Sequence, residues 1–325
     1  MITKLSIANF KSIRQLDLDC KKINLFIGEP NTGKSNILEA LALLSWYSRP
    51  TQSPLSDYVR FQAIPDLFYD QLLDQEISIS LLGKPSAGLY VRFENDRFAL
   101  RQQRTSPGSS DSLDYQGVYS GDYAHPQTAG IKFFRFKDLV KYEDKEPGSL
   151  KPPDGKNLFS VVFSSKDLRE TMEEFFRKYG LKLLMRQNER VFELVKQGDG
   201  PLIAYPYALA SDTLRRIIFY TVAMVSNKDS VLVFEEPESN AFPYYTKYLG
   251  ERIALDETNQ FFIATHNLYL LSAIVEKGRK EDVQVFITYY KDYQTKVKPL
   301  TPDDVSELME ADPFFNLDRF IEEER

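Results

Sequence analysis

The chain has 325 residues, of which 42% are hydrophobic and 27% charged, a composition typical of a globular protein. Its net charge of −6 argues against a generally basic nucleic-acid-binding surface, and no apolar run approaches the roughly 20 residues of a membrane span. The single cysteine, Cys20, excludes an intrachain disulfide, and one cysteine with two histidines cannot form a zinc site of the usual kind. We therefore expect a cytoplasmic protein, because the N-terminus also lacks the apolar core of a signal peptide.

The N-terminal residues predict a hairpin. Residues 4–7 alternate polar and apolar side chains, as a half-buried strand does, and Ile13, Leu16 and Leu18 continue the apolar pattern. This hairpin precedes the apolar run at residues 22–27, which predicts a further strand.

Residues 28–35, GEPNTGKS, match the phosphate-binding pattern G-x-x-x-x-G-K-[ST]. The pattern requires a strand before the loop and a helix after it. Residues 22–27 predict that strand, and residues 36–44 predict the helix, with apolar residues on one side. The simpler alternative is a glycine turn before an ordinary helix, and a second motif later in the chain argues against it.

The residue types of this loop suit an anion. Gly28 and Gly33 permit backbone angles that direct consecutive N–H groups at one phosphate, and the helix adds its positive N-terminal end. Lys34 is expected to reach the β- and γ-phosphates, and the Ser35 hydroxyl to bind Mg²⁺. The predicted nucleotide-binding residues of the loop are Gly28, Pro30, Asn31, Thr32, Gly33, Lys34, Ser35 and Asn36.

The middle of the chain predicts strands separated by polar loops. Its composition places the least ordered stretch at residues 105–130 and another loop at residues 141–154. A long heptad run is absent, so no extended coiled coil is expected. The predicted elements are an antiparallel set at residues 77–81, 89–93 and 97–100, a strand at 131–136, an amphipathic helix at 167–179 and a hairpin at 181–195.

Residues 231–238, VLVFEEPE, form the second motif. Four apolar residues predict a buried parallel strand, and carboxylates follow at its C-terminal end, where α/β sheets place ligands. Glu235 is expected to hold the Mg²⁺ shell, and Glu236 to orient and deprotonate the attacking water. The alternative is a solvated acidic turn. Glu238 either caps the helix beginning near Pro243 or acts in the site, and the structural role is favoured.

Two further positions follow from local pattern. Ser211 is a good N-cap for an apolar helix that runs through Val225. His266 lies in the polar cluster that ends the buried strand predicted at residues 260–267, and imidazole can donate to an anion near neutral pH. Strands are also predicted at residues 283–288 and 296–300, followed by a helix that begins at residues 301–304.

Residues 5–13, 23–28 and 33–40 together resemble the N-terminus of the ABC-type ATPases, in the branch of RecF, the structural-maintenance-of-chromosomes (SMC) proteins and the overcoming-lysogenization-defect (OLD) family. This resemblance implies an α/β fold: a P-loop ATPase head with a mixed central sheet flanked by helices, an antiparallel β subdomain and a mid-chain insertion. It implies one domain over residues 1–325, a less certain insertion or arm at 102–204 and an acidic tail at 314–325.

The resemblance also implies roles for several residues. His266 corresponds to the switch histidine that contacts the γ-phosphate, and is taken with Glu236 as catalytic. Ser211 corresponds to the serine of the signature loop, which caps the nucleotide of a second subunit, although Thr213 replaces a glycine there. Lys11 lies where family members place a basic residue near the nucleotide. Neither Gln62 nor Gln71 has a local pattern that selects it as the family's glutamine.

These observations predict Mg²⁺-dependent ATP binding and hydrolysis that drives dimerisation or conformational switching. A homodimer or higher oligomer through the ATP site is expected, and no membrane. The alternative is a nucleotide-gated scaffold with slow or no hydrolysis that recruits an effector. Association with DNA and a role in defence against phage rest on the resemblance alone. The chain stops soon after the ATPase core, so any nuclease activity is expected from a separate partner.

Overall fold

The computed structural model describes residues 1–102, 111–121, 125–196, 202–310 and 317–321. The strands in this part of the chain are β1 (Ile2–Phe10), β2 (Ile13–Asp19), β3 (Ile23–Gly28), β4 (Ile77–Gly83), β5 (Ala87–Glu94), β6 (Arg97–Gln102), β7 (Ser112–Leu113), β8 (Tyr119–Ser120), β9 (Ile131–Phe134), β10 (Leu181–Arg186), β11 (Val191–Lys196), β12 (Ala204–Pro206), β13 (Val231–Glu235), β14 (Gln260–Ala264), β15 (Val283–Lys291) and β16 (Gln294–Pro299). The α-helices are α1 (Lys34–Tyr47), α2 (Leu158–Ser164), α3 (Lys166–Arg177), α4 (Asp212–Ser226), α5 (Pro243–Ala254), α6 (Leu268–Lys277) and α7 (Pro302–Glu310).

The central sheet has six strands in the order β16-β15-β3-β14-β13-β9. Its five strands from β15 to β9 are parallel, and β16 pairs antiparallel with β15. The strand of the phosphate loop, β3, therefore lies between two strands from the other end of the chain. Every residue of β3 and β14 is buried, as expected of strands covered on both faces.

The two faces of this sheet cover separate apolar cores. Leu25, Ile27 and Phe234 point into one core, which the helices α4, α5 and α6 cover. Phe26 and Val233, which alternate with them along the strands, point into the other core, which contains α1 and the antiparallel sheet.

The antiparallel sheet has seven strands in the order β2-β1-β4-β5-β6-β7-β8. It begins with the predicted N-terminal hairpin, in which Phe10 pairs with Ile13. Helix α1 lies between this sheet and the central sheet. The expectation that α1 is apolar on one side only is wrong, since all residues from Ile37 to Tyr47 are buried. A helix covered on both sides needs apolar residues all round.

The third sheet, β10-β11-β12, contains the predicted hairpin of residues 181–195. It packs beside α3, whose buried residues Leu168, Met172 and Phe176 form the predicted stripe. Of the residues predicted as an insertion, 102–204, the strand β9 is part of the central sheet. Most of the predicted acidic tail, 314–325, lies outside the described residues, apart from 317–321.

The helices of the described part are short. The longest, α4, has 15 residues, and none has the length and apolar character needed to cross a membrane. Ser211 occupies the N-cap position of α4 as predicted, but its side chain accepts no hydrogen bond from the helix.

Candidate nucleotide site

A cleft of about 890 Å³ opens above the C-terminal end of β3. It collects residues that lie far apart in the sequence. Those of the predicted site that line it are Pro30, Asn31, Thr32, Gly33, Lys34, Ser35, Asn36, Glu236 and His266. Gly28, Glu235 and Ser211, also predicted, are not part of this lining.

The phosphate loop has the strained backbone that its glycines permit. Gly28 has a φ of +150° and Gly33 a φ of +97°. A Cβ on Gly33 would lie 1.9 Å from Oγ1 of Thr295 on β16, so even alanine does not fit there. The loop is thus packed against a strand of the chain's other end.

Lys34 lies folded back over this loop. Its ammonium donates to the carbonyl oxygens of Gly28 and Glu29, both at 2.8 Å. Burial lowers the pKa of Lys34 to about 8, and the nearby carboxylates of Glu236 and Glu29 only partly oppose this. The ammonium is therefore poorly solvated and would gain from contact with a polyphosphate.

Hydroxyl groups brace the loop from the C-terminal hairpin β15–β16. Thr32 Oγ1 lies 2.7 Å from Oγ1 of Thr288. The Ser12 hydroxyl lies 2.6 Å from that of Thr295 and accepts a 2.7 Å hydrogen bond from Asn36. Local sequence patterns gave no sign of this contribution, because it depends on the pairing of β15 with β3.

Glu236 and His266, both proposed from the sequence as catalytic residues, contact each other in the cleft. Glu236 follows β13 with a φ of +43°, which turns it toward β14. Its Oε1 lies 3.0 Å from Nε2 of His266, and its Oε2 accepts a 3.1 Å hydrogen bond from Ser239. The hydrogen bond from His266, with smaller contributions from Ser239 and Lys34, lowers the pKa of Glu236. An ionised carboxylate beside Lys34 can accept a proton from water.

The Glu235 side chain is not part of the cleft lining. Its Oε2 accepts a 2.6 Å hydrogen bond from Arg135, and its Oε1 a 3.3 Å bond from Arg60. Neighbouring residues of a strand project to opposite faces, and here the turn at Glu236 does not bring the two carboxylates together. Arg60 also lines the cleft. The expected approach of both carboxylates to one metal ion is thus not seen.

The two arginines share a second carboxylate, Glu39 of α1, which is fully buried. Arg60 Nε donates to Glu39 at 2.6 Å, and Lys11 pairs with the same carboxylate. Burial lowers the pKa of Lys11, although Glu39 opposes the shift. Lys11 is held by the buried Glu39 and is not among the residues that line the cleft.

Glu238 lies beneath the Glu236–His266 pair and is 4% exposed. Its Oε1 accepts a 2.5 Å hydrogen bond from the Thr265 hydroxyl, while Oε2 has no hydrogen-bond partner among the described residues. Burial raises the pKa of Glu238 to about 7. The side chain thus supports the loop of His266 and does not cap α5.

The residues present fit Mg²⁺ through Ser35, which lines the cleft next to Lys34 and carries a hydroxyl group. Mg²⁺ in nucleotide sites keeps waters and substrate phosphates as ligands and needs one or two protein ligands. Glu235 is a second ligand only if the metal displaces its arginines.

Ser211 and Thr213 line a different, smaller depression, together with Lys178, Phe242 and Tyr244. Ser211 is exposed. Ser211 therefore lines a different depression from Lys34, a position compatible with contact to a second subunit.

Comparison with known proteins gives partial matches. The family model AAA_15, described as an AAA ATPase domain, matches residues 1–93. A stretch of 136 residues is 31% identical to the uncharacterized protein MJECL10 of Methanocaldococcus jannaschii, covering 39% of this chain and 62% of that protein. A stretch of 102 residues is 28% identical to the DNA replication and repair protein RecF of Leptospira interrogans serogroup Icterohaemorrhagiae serovar Lai, covering 30% of this chain and 28% of RecF. The chain thus matches less than two thirds of either curated relative.

The solved structures match over nearly the whole chain. An SMC head bound to the C-terminal winged-helix domain of ScpA has a TM-score of 0.57 at 14% identity, covering 94% of this chain and 99% of that one. An SMC head with an extended coiled coil, bound to the C-terminal domain of ScpA derived from Pyrococcus furiosus, has a TM-score of 0.56 at 11% identity and covers 95% and 98%. The chain therefore has the α/β fold of an SMC head, and its first 93 residues match the model of an ATPase domain.

Proposed function

We propose that this chain binds ATP with Mg²⁺ in the cleft and hydrolyses it. The observation that carries the proposal is the placement of Lys34 and the Glu236–His266 pair in one cleft, although Lys34 follows β3 and the pair follows β13 and β14. A γ-phosphate held by Lys34 would lie next to Glu236, the carboxylate that the hydrogen bond from His266 keeps ionised.

In the proposed reaction, groups of the protein bind the phosphates and accept the proton of the attacking water. The N–H groups of the loop and Lys34 hold the phosphates, and Glu236 accepts a proton from the attacking water. His266 fixes the orientation of Glu236 through Nε2, so a donation to the γ-phosphate would come from the other ring nitrogen, Nδ1, in the protonated imidazolium. Bound through Ser35, Mg²⁺ would neutralise phosphate charge.

The test is ATP turnover and nucleotide binding by variants of the two groups. Lys34→Ala is expected to abolish binding, whereas Glu236→Gln keeps binding and reduces turnover by about 100-fold or more. Lys166→Ala is the matched control, because the Lys166 side chain is 77% exposed on α3, remote from the cleft. Intact nucleotide binding by Lys34→Ala would overturn the proposal.

A nucleotide-gated scaffold with slow or no hydrolysis is the second candidate. Two observations favour it: Thr213 stands where the signature loop has glycine, and Glu235 is held by two arginines. In that case ATP binding brings two copies together and recruits an effector. Steady turnover at about 1 s⁻¹ or faster by the isolated protein would argue against it.

We extend the proposal to an OLD-type relationship, a separate effector and a role in defence against phage. These three parts rest on the sequence resemblance. Association with DNA has the same basis, with RecF as a partial relative. DNA binding that weakens with added salt and responds to ATP would support it, because phosphate contacts release counterions. A binding curve insensitive to both would count against it.

A further inference from the structure

The cleft continues past the phosphate loop on the side away from Glu236 and His266. In the central sheet, β14 and β13 lie on one side of β3, and β15 and β16 on the other. If the γ-phosphate lies beside Glu236, the rest of a nucleotide must extend over the β15–β16 side. The residues that line the cleft there come from β15 and from the segment 317–321.

Two aromatic residues of β15, Tyr289 and Tyr290, line the cleft on this side, and Tyr290 lies on the face of the strand that meets the phosphate loop. Thr288 touches Thr32 of the phosphate loop, and side chains two residues apart on a strand project from the same face. Across the hairpin, Tyr290 pairs with Thr295, the residue packed against Gly33 and Ser12. Tyr290 therefore lies on the face of the hairpin that packs against the phosphate loop.

The surroundings of the ring suit a flat, partly polar group. Tyr290 is 53% exposed although it lines the cleft. Leu317 and Ile321 add apolar surface, and Ser12 and Asn36 add polar groups. The cleft volume of about 890 Å³ lies within the range of about 300–1,000 Å³ typical of small-molecule sites.

We propose that the β15–β16 side of the cleft is the nucleobase subsite and that Tyr290 stacks on the purine of the bound nucleotide. This proposal rests on the proposed function, because it takes the phosphate positions from Lys34 and Glu236. It assigns to the C-terminal hairpin the recognition of the base, and to the N-terminal loop the recognition of the phosphates.

The test separates base from phosphate by comparing two ligands, ATP and inorganic tripolyphosphate, by titration calorimetry with Mg²⁺. Tyr290→Ala is expected to weaken ATP binding by about tenfold, the loss typical of a removed base–aromatic stack, and to leave tripolyphosphate binding unchanged. Tyr290→Phe keeps the ring and should bind both ligands as the wild type does. Tyr293→Ala is the matched control, since Tyr293 is 82% exposed on the same hairpin and does not line the cleft.

The outcomes distinguish the two proposals. Unchanged ATP binding by Tyr290→Ala would overturn the base subsite, and so would an equal loss of ATP and tripolyphosphate binding. In either case Lys34→Ala would still abolish the binding of ATP and of tripolyphosphate, so the proposed function would stand. Wild-type protein that binds neither ligand would overturn the proposed function and the subsite with it.

Discussion

The Arg135 guanidinium donates to Oε2 of Glu235 at 2.6 Å, while Arg60 takes the other oxygen of the same carboxylate. Arg135 follows β9, the strand paired with β13, so the contact joins the ends of two neighbouring strands. The predicted metal ligand is therefore neutralised by two cations. Any metal ion that binds Glu235 must compete with them.

This competition predicts the effect of Arg135→Met. Removing one guanidinium should lower the Mg²⁺ concentration for half-maximal ATP hydrolysis by about 10-fold, since a hydrogen bond to a charged group contributes about 1.5 kcal/mol. The measurement is turnover against Mg²⁺ at fixed ATP. Arg186→Met is the control, because Arg186 pairs with Glu193 at 2.7 Å in the third sheet. An unchanged Mg²⁺ requirement would mean that Glu235 does not meet the metal.

The lowered pKa of Lys34 predicts proton uptake on nucleotide binding. With a pKa of about 8 in the free protein, Lys34 is largely neutral at pH 9, and phosphate binding requires the charged form. ATP binding should thus take up nearly one proton at pH 9 and none through Lys34 at pH 7. Calorimetry in two buffers of different ionisation enthalpy measures this uptake. Equal binding heats in both buffers at pH 9 would contradict the prediction.

The buried Glu238 predicts a pH-dependent stability. Its pKa rises from 4.5 to about 7 on folding. Between these values the unfolded chain loses the proton first, so the wild type loses stability as pH rises through this window, by about 3 kcal/mol in total. Glu238→Gln keeps an oxygen for the Thr265 hydroxyl and should melt at a higher temperature than the wild type at pH 8. This difference should shrink at pH 5. Thermal melts of Glu238→Gln and of the exposed-residue control Glu189→Gln test it; equal shifts in both variants would refute it.

The exposed position of Ser211 predicts that a second copy completes the site. Glu236→Gln should retain ATP, so its mass by light scattering should double when Mg²⁺ and ATP are added to the 37.6 kDa monomer. Adding Ser211→Arg should prevent the doubling, because the longer side chain blocks close contact there. Ser306→Arg, on the exposed side of α7, is the control. A Glu236→Gln protein that stays monomeric with ATP would remove the basis for contact across subunits.

Local sequence was sufficient to predict most elements of the site. The apolar run before Gly28, the lysine after Gly33 and the carboxylates after β13 each have a short-range pattern, and the structure brings Lys34, Glu236 and His266 into one cleft. Such patterns work because strand, loop and helix here are set by neighbouring residues.

The remaining features depend on contacts across the chain. Arg60 and Arg135 look like ordinary surface cations in sequence, and only the pairing of β9 with β13 brings Arg135 to Glu235. His125 lies in the stretch whose composition predicts the least order, yet it is buried with Nε2 3.0 Å from Asp111 and its ring stacked on Tyr47. No local pattern encodes these distances.

The place of β3 between β14 and β15 also has a consequence for synthesis. The side chain of Asn24 donates to the carbonyl of Phe261, 237 residues further along. Until those later strands leave the ribosome, the phosphate loop lacks both neighbours of its strand and the threonines that brace it. Because β14 and β15 are synthesised late, the nascent chain exposes an apolar strand edge for most of its translation. Closing so long a loop is also slow, which prolongs this exposure. Nucleotide binding would then report that the chain has been completed through β16.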